Sequence, residues 1–293
     1  MAANTRDIRR RIKSVKNTSQ ITKAMQMVAA AKMRKAQLSA LAGRPYAELL
    51  NRVLDSVAAR AEENTHELLQ VRPVKKELVL VISTDKGLCG ALNTNLLREV
   101  GKFDPEKCTF VAVGRKGLQW MLRGNRNVLA DFPLKENLVF IESKAISKFV
   151  MEKFVSGEVD KVTVVFTDFI NTLTQVPKSK TILPIESLHV TAGLAGHHEV
   201  AIEKTDSETE YLFEPSMDDV LSSVLPHYVH FQVYQMLLDA RASEHSARMI
   251  AMKNATDNAK QLIKDLTLEY NKIRQASITT ELLEISTAQM ALA

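Results

Sequence analysis

Two long stretches without glycine or proline constrain this chain more than anything that lies between them. The first runs from Met1 to Ala42 and the second from His227 to Ala293, and both are filled with Ala, Lys, Arg, Met, Leu and Gln. These residues favour helix, and no turn chemistry interrupts them. At 1.5 Å per residue the second stretch alone makes a helix of about 100 Å, longer than a small domain is wide. Such a helix needs a partner helix or a surrounding sleeve to cover its apolar side. The spacing of apolar residues points to a partner: Ile8, Ile12 and Val15, then Ile21, Met25 and Val28. Near the other end come Leu262, Leu266, Tyr270 and Ile273, then Ile278, Leu282 and Ile285. Each block has coiled-coil spacing, and the step of six from Val15 to Ile21 predicts a slip between blocks. One helix opens the chain and the other closes it, so an antiparallel pair requires a bulky insert between them.

The insert reads as an α/β unit. Glu77 to Ser83 is a buried-strand pattern, followed by a glycine-containing turn and a helical Ala91 to Val100. Cys108 to Val113 is a second strand, then Gly114 and a helical Lys116 to Arg123. A helical Ser143 to Val155 precedes a third strand, Lys161 to Thr167, and Thr172 to Ile185, with Pro177 and Pro184, reads as an edge strand. Alternating strands and helices predict a largely parallel sheet. His189 to Glu214 reads as a polar, acidic loop or hairpin. Pro215, Ser216 and Asp219 make a capping pattern at the start of the last helix, and Pro226 predicts a kink or short break. The expected architecture is therefore α/β: a long antiparallel coiled coil of N- and C-terminal helices with an inserted Rossmann-like α/β domain. Its segments are a coiled-coil helix at 1–60, the α/β domain at 74–190, the acidic loop or hairpin at 191–215 and a coiled-coil helix at 216–293.

The formal charge of +5 is unevenly spread: up to Arg44 there are eleven Lys or Arg residues and one acid, Asp7. A basic stripe fits a solvated face, a polyanion or an acidic protein surface. Two cysteines make no disulfide framework in 293 residues; Cys89 in its turn and Cys108 at the head of an apolar run read as small core residues in a reducing compartment. Neither a transmembrane run of about 18 apolar residues nor an apolar signal core is present, and the Arg-rich start reads as mature helix.

Asp85 to Gly90 stands where a dinucleotide fold carries its phosphate loop. However, neither G-x-G-x-x-G nor G-x-x-x-x-G-K-[ST] occurs, so its glycines read as tightening a turn. His197 and His198 fall in the polar loop, and His227 and His230 share a helix face without nearby Cys or paired carboxylates, which is poor material for a metal site. No catalytic residue, cofactor site or metal site is assigned. Two other classes of function remain open at this point. One is a basic coiled-coil protein that binds nucleic acid or a membrane surface, although no aromatic residues interleave with the basic ones for base stacking. The other is a nucleotide-dependent enzyme lacking its phosphate loop.

Four blocks carry a resemblance. Ile21-Thr-Lys-Ala-Met-Gln-Met-Val-Ala-Ala-Ala-Lys-Met-Arg-Lys35 closely resembles the first helix of the gamma subunit of F-type ATP synthases. Ser83 to Gly90 resembles that family's loop after the first strand, with Lys86 where Arg is usual. Ser243 to Asn258 and Tyr270 to Leu283 resemble its last helix, and Ile170-Asn171-Thr172, Gln175-Val-Pro177 and Tyr211 to Pro215 join them in order. Near the end Ile278, Thr279, Glu281 and Glu284 fit the family pattern, but Ala288 and Gln289 stand where it has Gly-Ala. The resemblance implies a rotating central stalk that couples proton-driven rotation to conformational change at catalytic sites on the beta subunits and is not itself catalytic. It implies alpha, beta and epsilon subunits and the membrane c-subunit ring as partners, with no nucleic acid. It also implies a peripheral position on the cytoplasmic face of a bacterial inner membrane, or less readily on the matrix side of a mitochondrial one. Carried over position by position, Lys23, Met25, Arg34, Lys35, Lys86, Gly87, Gly90, Arg248, Arg274, Gln275 and Thr279 become the expected rotor–stator contacts.

Overall fold

A computed structural model describes residues 2–43, 45–47, 49–50, 53–54, 66–133, 140–185 and 217–292. The acidic segment at 191–215, the Pro215–Ser216 cap, His197, His198 and the Tyr211 to Pro215 block lie outside these residues. The chain divides into two compact units, Met1–Ala29 with Met249–Ala293, and Ala30–Arg248. The first helix, α1, covers Ala2–Ala42, and the last, α5, covers Met217–Leu292.

In the first unit the two helices pair antiparallel. The Arg9 guanidinium lies 5.4 Å over the Tyr270 ring and donates to its hydroxyl, while the hydroxyls of Thr22 and Thr256 share a 2.7 Å hydrogen bond. Going up α1 thus means going down α5. The seam differs from the one the apolar spacing predicts. Among the buried or half-buried positions on α1, Ile8, Ile12, Val15, Ser19, Thr22, Gln26 and Ala29 form an unbroken alternation of four and three. On α5 the same alternation runs through Met252, Thr256, Ala259, Ile263, Leu266, Tyr270 and Ile273. There is no slip. Ile21 and Val28, placed in the seam by their spacing, are 60% and 54% exposed, and Leu262 is turned outward as well. The reason is steric and polar together. Ser, Thr and Ala let the backbones approach, and the two threonine hydroxyls satisfy each other there instead of being buried alone. The second predicted stripe on α5, Ile278, Leu282 and Ile285, is also exposed, as is every residue from Glu281 to Met290.

The second unit is built on a five-stranded sheet. Its strands are β1 (Glu77–Ile82), β2 (Cys108–Val113), β3 (Val128–Phe132), β4 (Lys161–Phe169) and β5 (Gln175–Leu183). Helices α2 (Leu92–Val100), α3 (Arg115–Arg123) and α4 (Phe140–Val155) connect them. The order is β3-β2-β1-β4-β5, with β1 to β4 parallel and β5 antiparallel on the edge. β1 is apolar at every position after Glu77 because it is central and covered on both faces. One face packs Leu80, Ile82, Val164 and Phe166 against α4 and the start of α5; the other packs Val79, Val81, Phe110 and Ala112 against α2 and α3. β3 is a strand that the sequence reading does not assign. It is short, lies on an edge and carries Asp131, so its hydrophobic signal is weak.

Two helical expectations change as well. α1 stops at Ala42, before Gly43, and helical residues resume at 45–47, 49–50 and 53–54, within the expected 1–60 segment. α5 runs through Pro226 without a break, although an interior proline costs about 3 kcal/mol. Leu221, Leu225, Tyr228 and Val229 are all buried around Pro226, and that burial offsets the lost hydrogen bond.

Candidate functional site

The expected contact residues distribute over both units. In the first, Lys23, Arg274, Gln275 and Thr279 are exposed and Met25 is half-buried; the Thr279 hydroxyl donates to the Gln275 carbonyl. In the second, Arg34, Lys35, Lys86 and Gly90 are exposed, Gly87 is half-buried, and Arg248 is buried at 9% exposure. The structure joins three of them directly, Lys86, Gly87 and Arg248, in a polar site of the second unit.

That site starts where β1 ends. The Ser83 hydroxyl donates to the Val113 carbonyl at 3.1 Å and accepts from the Gly117 amide at 2.8 Å, which ties β1 to the β2–α3 turn. Thr84 Oγ1 donates to the Lys86 carbonyl at 2.8 Å and accepts from Asn93 Nδ2, also at 2.8 Å. Asp85 accepts from the Arg115 amide. Between them the chain turns through positive φ at Leu88 (62°) and Gly90 (61°), leaving Leu88 62% exposed at the tip. The Cys89 thiol is tucked underneath, where it accepts from Asn93 at 3.3 Å and is raised in pKa by burial, with Arg248 pulling the other way.

From the other side, α5 reaches the same turn. Arg248 Nη2 and Nε lie 3.3 and 3.4 Å from the Gly87 carbonyl, and Nη2 lies 3.3 Å from that of Lys86. The guanidinium is held by Glu244, with Nη2 to Oε1 at 2.8 Å, and Glu244 is itself bridged by Arg241 at 3.4 Å. His245 offers Nδ1 to Arg248 Nη1 at 3.4 Å. Burial pushes its pKa down to about 4; Glu244 favours protonation, while Arg241, Arg248 and Lys32 oppose it. His245 therefore sits there neutral, as an acceptor.

The same turns of α5 hold the end of β4 and the β4–β5 turn. Ser243 donates to the Thr167 carbonyl at 3.1 Å and Ser246 to that of Thr172 at 2.7 Å. Asn171 caps the amides of Leu173 and Thr174, leaving Leu173 81% exposed. One short segment, Ser243 to Arg248, thus supports two loops with leucine tips.

Reasoning from sequence misses Arg241, Glu244 and His245. The signal is present: Arg241, Glu244 and Arg248 stand at i,i+3 and i,i+4 ion-pair spacing. Such pairs lie on solvated helix faces by default, and nothing local shows that this one is covered. The two weak metal candidates are structural. His227 packs edge-on against Tyr46 and Phe140, and His230 shares a 2.5 Å hydrogen bond with Ser147.

Comparison with known proteins places this architecture. The family model described as ATP synthase matches residues 4–292. The ATP synthase gamma chain of Methylacidiphilum infernorum is 50% identical over 295 residues, 99% of each chain, and that of Opitutus terrae is 50% identical over 299 residues, again 99% of each. Among solved structures, a chain of the Euglena gracilis mitochondrial ATP synthase superposes with a TM-score of 0.70 over 100% of this chain and 95% of its own, at 21% identity. A chain of the Tetrahymena thermophila mitochondrial ATP synthase central stalk and c-ring is 26% identical, with a TM-score of 0.60 over 80% of this chain and 99% of its own. With half its residues identical to these gamma chains along nearly the full length, the chain belongs to the gamma-chain family of the F-type ATP synthases.

Proposed function

We propose that this chain is the turning central stalk of an F-type ATP synthase, linking proton-driven rotation to the state of catalytic sites on neighbouring beta subunits. The observation that carries this reading is the outer face of the helix pair. Ile21, Met27 and Val28 on α1 and Leu282, Leu283, Ile285 and Met290 on α5 are all exposed, although the seam between the helices is already filled. A pair that leaves so much apolar surface uncovered is built to be enclosed by other chains. Exposed Lys23 in the first unit supplies charge for acidic stator loops, and exposed Arg34, Lys35 and Lys86 in the second unit do the same. The chain contributes no ATP chemistry in this reading. At the turn where a nucleotide fold would place its phosphate, the carbonyls of Lys86 and Gly87 face a guanidinium of the chain itself.

The partners are the alpha and beta subunits of the ring, the epsilon subunit and the membrane c-ring. Attachment to the membrane is peripheral in this reading, through those partners; no helix among the described residues is long and apolar enough to cross a membrane. The bacterial relatives favour the cytoplasmic face of the inner membrane. Mixed with matching alpha and beta subunits, the chain should form a complex holding one copy of itself and showing cooperative ATPase activity. Purification without any affinity for that ring would overturn the reading. A second expectation concerns half-buried Met25. Met25→Lys adds a cation beside the stator, so proton pumping per ATP should fall severalfold while hydrolysis stays within about a factor of two. Equal loss of both would remove Met25 from the coupling contact.

A further inference from the structure

We propose that Glu244 is a positioning residue: by holding Arg248 against the Lys86 and Gly87 carbonyls, it sets the shape in which the Thr84–Gly90 turn meets its partner subunit. This rests on the rotor reading above. Glu244 is 3% exposed and meets two guanidiniums, Arg248 at 2.8 Å and Arg241 at 3.4 Å. A buried carboxylate between two arginines compensates charge that would otherwise repel, and it fixes the plane of the Arg248 fork. That plane matters because the fork's remaining donors go to two successive backbone carbonyls, an arrangement a rotated guanidinium cannot keep. On its other side the turn is held by Thr84, two residues beyond β1, and by Asn93 on α2. The turn therefore bridges the sheet and the long helix, and Glu244 controls only the helix half. Exposed Lys86 and Leu88 sit on the part that Glu244 controls.

The test is Glu244→Gln, which keeps the shape and removes the charge. Hydrogen exchange on the full chain should show the bonded amides that flank the turn, Thr84 (to Asn93 Oδ1) and Leu92 (to the Cys89 carbonyl), exchanging about tenfold faster, with β1 and β4 unchanged. In the assembled enzyme, protons pumped per ATP should fall about threefold or more while hydrolysis stays within about twofold. Unchanged exchange at Thr84 and Leu92 would overturn the strap itself. Faster exchange with full coupling would overturn the positioning role and leave the rotor reading standing, since reconstitution tests that separately. Should Glu244→Gln fail to fold, Arg248→Lys keeps the ion pair but gives up the fork. It too should quicken exchange at Thr84 and Leu92, and wild-type protection there would overturn the proposal.

Discussion

Gly114→Ala is expected to lower the melting temperature by roughly 10 °C, whereas Gly87→Ala, in the neighbouring turn, should move it by less than about 2 °C. Gly114 joins β2 to α3 with φ 90° and ψ 149°, a combination open essentially to glycine alone. A Cβ there would stand 2.3 Å from the Ser83 carbonyl oxygen and 2.9 Å from its carbon, both backbone atoms. The backbone is fixed on both sides. The Ser83 amide donates to Val113 at 2.8 Å and the Gly114 amide to Phe132 at 3.1 Å, so admitting a methyl group means separating the ends of the two central strands. Strain and lost sheet bonds together cost about 4 kcal/mol. A Cβ on Gly87, by contrast, meets nothing within 4 Å. Thermal melts of the two variants beside the wild type provide the measurement. A shift under about 2 °C for Gly114→Ala would show that the strand ends can part at little cost.

Acid should destabilise the protein between about pH 6.5 and 4, by up to about 3 kcal/mol from His245 alone. Burial holds the His245 pKa at about 4 in the fold, below its value of 6.5 in the open chain. Below pH 6.5 the unfolded chain takes up a proton that the folded one refuses, so stability present above that pH is progressively lost as the pH falls toward 4. His227 and His230 are lowered in the same direction, by burial first and by Lys144 second, and they steepen the same fall. Urea midpoints measured across this range should therefore drop, and His245→Gln should show a shallower drop whatever its absolute stability. The same slope in the variant would mean that His245 takes up its proton without opposition.

The architecture was legible in the residues themselves because its determinants are local. A run of 42 residues without glycine or proline can hardly be anything but helix, and Leu78 to Ile82 can hardly be anything but a central strand. Four of the five strands announce themselves this way, and the ordered blocks from Ile21 to Leu283 identify the family. The failures share one cause. Hydrophobic spacing records every apolar surface a helix has, including one turned toward another molecule. Ile21, Met25 and Val28 therefore look like the seam with α5, while the seam runs through Ser19, Thr22, Gln26 and Ala29. The hydroxyl pair that makes Thr22 suitable exists only once Thr256 lies opposite, 234 positions away.

The turn at Ser83 to Gly90 shows the same division. The sequence by itself determined that a glycine-rich turn follows β1, that it carries no phosphate signature, and that long helices bound the domain. Only the tertiary structure decided that Arg248 lies buried against that turn, with Glu244, Arg241 and His245 around it. Charged residues on a helix are solvated unless something covers them. Here the cover is a turn placed by a sheet whose strands pair through long-range hydrogen bonds, and no local pattern along α5 records its position.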